Sequence, residues 1–174
     1  MQEPGSVQKK PTEENKVVDK WNYWVFNAGV DGSLVMDEVY STRFFKGNIG
    51  INRTTPEQRV SFSMSGSNTG SSYKVGTEES QVIYKVVNTD FMLYHSFVSS
   101  INDHWSWAYN ASFSSNSFKN IRHRKYVGAG VEYAIFPYSQ VNTRFFTINY
   151  KLEMQDNFYF DSTIYNRMNE ILPG

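Results

Sequence analysis

From Trp21 to Met154 apolar and polar residues alternate with a period of two. Trp24, Phe26, Ala28 and Val30 fall on one side of an extended chain, opposite Val25, Asn27 and Gly29. The same alternation runs through 45–52, 60–66, 105–113, 127–135 and 145–153. Neighbouring side chains of a strand point to opposite faces, so these six segments predict half-apolar β-strands. A seventh, 89–100, is apolar on both faces. No helical period of comparable strength precedes residue 155.

Short turns are expected at Thr54–Gln58, Ile101–His104 and Phe136–Gln140. Polar connections are expected at Leu34–Glu38, Ser65–Ser80 and Ser114–Asn120, with another beginning near Gln155. Adjacent antiparallel strands accept such direct links, whereas parallel ones need long crossovers. The fold expected is therefore all-β, an antiparallel up-and-down meander of about seven to eight strands. Residues 1–20 are polar, with two prolines, and read as a flexible leader. Residues 21–154 form the β segment. Residues 155–174 read as a tail, with Asn157–Phe160 as the start of a further strand and Ser162–Leu172 as a short helix.

Composition narrows the classes. The 174 residues carry 17 Lys+Arg against 17 Asp+Glu, which leaves no basic footprint for nucleic acid. The absence of Cys excludes a disulfide scaffold, a thiolate metal site and a Cys nucleophile. Aromatics reach 17%, too many for a disordered chain, and no apolar run is long enough for a spanning helix.

Alternating strands suit two solvents. In a soluble sandwich the apolar face is the core. In an outer-membrane barrel it meets lipid and the polar face lines the lumen. Three features favour lipid. Long and short connections alternate. The residues opposite the apolar set are small and polar: Ser61, Ser63, Ser65, Ser106, Asn110, Ser112, Gly128 and Gly130. Aromatics cluster by the short turns: Trp21, Tyr23, Trp24, Trp105, Trp107, Tyr133 and Tyr138. Such rings suit a bilayer interface. Phe62, Tyr109, Val131 and Ile148 are the lipid-facing candidates.

The order of several short motifs carries a resemblance. Asn52-Arg53-Thr54 is followed by Asp103-His104-Trp105-Ser106, then by Glu132-Tyr133 and Phe136-Pro137-Tyr138-Ser139. Over roughly Trp21–Asn169 the chain resembles uncharacterised outer-membrane β-barrel proteins of Gram-negative bacteria, akin to the salt-induced outer-membrane protein family. That resemblance implies a transmembrane barrel in the bacterial outer membrane, with no established enzymatic activity and no site residues to carry over. Such proteins continue with more strands after a region like Tyr159–Asn169. Seven strands would also be an odd number for a bacterial barrel. The chain is accordingly expected to be a fragment of a larger barrel.

No catalytic constellation stands out. His95, His104 and His123 lack the spacing that would converge them on a metal. Ser96 and Ser99 lie near His95, but there is no G-x-S-x-G elbow. Arg122-His123-Arg124-Lys125 is the densest charge run and suits phosphates of an anionic leaflet or a solvated loop stem. The expectation is a non-enzymatic protein without cofactor or nucleic acid, whose partner is membrane lipid and whose role is structural or transport-related. The alternatives are a soluble sandwich or lipocalin-like module for a small or carbohydrate ligand and, more weakly, an outer-membrane lipid-modifying hydrolase.

Overall fold

The computed structural model describes residues 19–77 and 80–174. Eight strands follow one another: β1 (Trp24–Met36), β2 (Tyr40–Thr54), β3 (Gln58–Thr77), β4 (Ser80–Ser100), β5 (Trp105–Asn116), β6 (Ile121–Ala134), β7 (Thr147–Tyr159) and β8 (Asn169–Pro173). They form one sheet in sequence order, every neighbouring pair antiparallel. The expected meander is the observed one. The sheet is open: β1 pairs only with β2, and β8 only with β7.

Local chemistry sets the corners. The Asn102 side-chain carbonyl accepts from the amides of His104 and Trp105, both at 2.9 Å, closing the β4–β5 turn. The Gln58 amide donates to Thr55 Oγ1 at 3.0 Å in the β2–β3 turn. Asn120, at φ 59°, takes the left-handed conformation that Asn tolerates better than most residues, just before β6 begins. These are turn residues acting by the usual Asx and hydroxyl mechanism.

Several boundaries differ from expectation. Ser65–Ser80 is not a loop. Through Thr77 it is the second half of β3, paired rung for rung with Ser80–Met92. Ser, Gly and Asn, which dominate this stretch, have little strand preference of their own. Their partner is rich in Val, Ile and Tyr, and cross-strand packing decides the outcome. Ser114–Asn120 shrinks likewise, since β5 runs to Asn116 and β6 starts at Ile121. The link after β6 is longer than the expected Phe136–Gln140 turn: it spans 135–146 and holds a single 3-10 turn at Tyr138–Gln140. Connection lengths therefore do not alternate between long and short, and that argument for lipid falls away.

In the tail, β7 continues to Tyr159 and the eighth strand lies at Asn169–Pro173. The helix expected at Ser162–Leu172 does not form. Asn166 takes φ 58°, and Glu170, Ile171 and Leu172 pair with β7 instead. A helix that short is marginal alone, while a strand edge offers ready partners. Of the expected leader, residues 1–18 lie outside the described residues.

Candidate functional site

Register places the strand residues on two faces. One carries Trp24–Val30 in alternation, then Ile49 and Ile51, Phe62 and Met64, and Leu93 and Phe97. It continues through Trp107 and Tyr109, Val127 and Val131, and Ile148 to Met154. One row of direct partners across it reads Phe62, His95, Ala111, Val127 and Met154. Phe62, Tyr109, Val131 and Ile148 all lie on this apolar face. The opposite face carries Ser61, Ser63, Ser65, Ser106, Asn110, Ser112, Gly128 and Gly130, as the alternation implies.

Burial follows the inverse of a soluble sheet. Among the described residues the only buried hydrophobic side chains are Ile121 and Ala134. Those two sit at the ends of β6; on β5 and β7 the sheltered residues are polar, Ser106 at 7% exposed and Asn157 at 2%. Their apolar neighbours are open, with Tyr150 at 65% and Leu152 at 60%. Among the described residues no second layer covers the apolar face. A one-layer sheet without a core lacks the burial that offsets chain entropy in water.

The aromatic candidates gather at one rim. Trp21, Tyr23 and Trp24 lead into β1, at the end where the β2–β3, β4–β5 and β6–β7 links also lie. Trp105 packs on Tyr133 with centroids 4.9 Å apart, and Trp107 on Phe97 at 5.3 Å. Arg53 sits 6.0 Å over the Trp24 ring. Tyr138 differs: its hydroxyl donates to Glu132 Oε1 at 3.5 Å, which turns it toward the polar face.

The polar face forms a groove of about 620 Å³, lined by Ser61, Tyr94, Ser106, Asn110, Glu132 and Lys151. Gly128 makes the crowding possible. A Cβ there would stand 2.7 Å from Asn110 Oδ1 and 2.8 Å from the Tyr126 hydroxyl. Tyr126 donates to Glu153 Oε2 at 2.7 Å, and Lys151 Nζ pairs with the same carboxylate at 2.5 Å. Nearer the other rim Arg124 Nε donates to the buried Asn157 at 2.8 Å. Strand alternation already puts Lys151 and Glu153 two residues apart on the polar face; Tyr126 and Asn110 join them only through register.

The three histidines stay apart and each is engaged locally. His95 shares a 3.0 Å hydrogen bond with the Tyr109 hydroxyl. His104 Nδ1 donates to the Ala134 carbonyl at 2.7 Å. His123 stacks between Phe113, at 6.3 Å, and Phe158, at 4.4 Å. Among the described residues no three His, Asp or Glu side chains gather as metal ligands. The basic run divides: Arg124 turns to the polar face, while His123 and Lys125 share the apolar one.

Comparison with protein-family models, curated proteins and solved structures found no match.

Proposed function

We propose that this sheet is the wall of an outer-membrane β-barrel, with the apolar face toward lipid and the polar groove toward the lumen, serving a structural or transport-related role without catalysis. One observation carries the reading: the apolar residues of nearly every strand form one uncovered surface, while small polar groups are the sheltered ones. A lipid tail can cover such a surface without a second protein layer. Strands of 12 residues or more exceed the length a tilted strand needs to cross a bilayer, about 9–11 residues, in β1 to β7. The aromatic rim supplies one interfacial girdle.

The open edges fit the same reading. β1, and β7 through Leu152, each present unpaired N–H and C=O groups along one side. In hydrocarbon each such group costs several kcal/mol, so the wall closes by joining its edges to further strands. A larger barrel of the kind the motif order resembles would provide them. The test is solubility of the full chain. In plain buffer it should aggregate, and in detergent it should disperse with retained β-structure. A monodisperse, cooperatively melting monomer in plain buffer would replace this reading with the soluble ligand-binding module.

A further inference from the structure

The registers sort charge as well as polarity. Strand carboxylates collect on the polar face: Asp31, Asp90, Glu132, Glu153 and Glu170. On the apolar face, among the described strand residues, Asp156 is the one carboxylate. Four cations of that face, Arg43, Lys74, Lys85 and Lys125, stand on the side away from the aromatic rim, the first three among Leu34, Val87 and Ile83.

Two of these cations, Arg43 on β2 and Lys85 on β4, line one depression of about 270 Å³. Leu34, Arg43, Gly70 and Val87 are direct partners in one row across β1–β4. In the next row of this face Ser72 stands opposite Lys85. Gly70 makes the floor. A Cβ there would lie 2.7 Å from Arg43 Nε, so the guanidinium reaches across onto the bare backbone of β3. Among the described residues neither Arg43 nor Lys85 makes an ion pair. The depression thus offers a planar fork, an ammonium and a hydroxyl between two apolar walls. Those walls run on into the apolar face.

We propose that this depression is a headgroup site for a phosphorylated lipid of the surrounding leaflet. Guanidinium binds a phosphate monoester with paired hydrogen bonds, and the ammonium adds a second charge. A lipid-borne phosphate fits better than a free one. Leu34 and Val87 would do nothing for a free ion, whereas acyl chains descending from the headgroup would lie along them. Among the described residues no strand carboxylate shares this face at this height of β1–β4; Asp37 and Glu38 follow Met36 in the β1–β2 turn. The inference rests on the membrane reading and adds the lipid's chemistry and its place. It also orients the barrel, with the β3–β4 hairpin on the side of the phosphate-rich leaflet.

The experiment titrates the full chain in neutral detergent with a bis-phosphorylated, acylated glucosamine disaccharide, and with the same lipid stripped of phosphate. Native mass spectrometry counts the bound lipid. The variants are R43Q/K85Q and, as a control cation on the other face, K46Q. The phosphorylated lipid should bind to the unaltered protein and to K46Q alike. R43Q/K85Q should bind about thirtyfold more weakly, the factor that two cations near an anionic surface supply. Equal binding of the stripped lipid would overturn the proposal, as would an unchanged affinity in R43Q/K85Q. Inorganic phosphate displacing the lipid at low millimolar concentration would overturn the lipid assignment. Failure in any of these arms, with the protein still requiring detergent, leaves the membrane wall standing. Solubility in plain buffer would remove the wall itself.

Discussion

Ala129→Arg separates lipid from water as the solvent of the apolar face. Ala129 lies on β6 between its register partners Tyr109 and Leu152, exposed among the described residues. It stands four residues from Tyr133 at the aromatic rim and four from Lys125 at the other end of the band. At about 3.3 Å per residue, each girdle is some 13 Å away along the strand. In water an exposed strand position accepts Arg within about 0.5 kcal/mol. At a bilayer midplane the same change costs about 2–4 kcal/mol, and near the interface only about 0–1 kcal/mol. Tyr133→Arg is therefore the control at the rim. Reversible denaturant unfolding in lipid vesicles, followed by tryptophan fluorescence, measures both. The expected result is a loss of about 2–4 kcal/mol for A129R and a clearly smaller charge effect at 133, judged against Tyr133→Gln. Indistinguishable small losses for A129R and a polar-face change such as Ser112→Arg would refute the placement.

Asn157→Leu should destabilise the fold by about 1–3 kcal/mol, because it leaves the inward-turned Arg124 without its buried acceptor; thermal melts in detergent read it. Gly128→Val should disturb the groove, since its side chain would collide with Asn110, Tyr126 and Lys151; altered access of a small label to a Cys placed at Ser106 reports it. Tags inserted at Ser117–Asn120 should be detected on intact cells and tags in the β4–β5 turn should not, and the opposite pattern would invert the orientation.

Much of this was legible because strand periodicity is a local property. Val131 and Glu132 have opposite surroundings whatever the rest of the chain does, so the apolar set from Trp24 to Met154 could be assigned without partners. Element ends were harder. Ser65–Thr77 has the composition of a loop and becomes strand only because Ser80–Met92 lies beside it, a fact about partners rather than propensity. The same holds for Glu170–Leu172, whose extended pairing needs the edge of β7. The polar network was half legible for the same reason. Alternation puts Lys151 and Glu153 on one face of β7, but Tyr126, 25 to 27 positions away, reaches the same carboxylate only through the β6–β7 register. Arg43 and Lys85 likewise line one depression from either side of β3, and the glycine that Arg43 crosses says nothing until its neighbours are known.

The most direct measurement is a nitroxide scan of 127–132 on β6, with the protein reconstituted in bilayers. Labels at Val127, Ala129 and Val131 should collide preferentially with oxygen, which concentrates in lipid. Labels at Gly128, Gly130 and Glu132 should favour a water-soluble nickel chelate, giving a period of two with this phase. The opposite phase, or uniform access to the chelate at all six positions, would contradict a wall whose apolar face meets lipid.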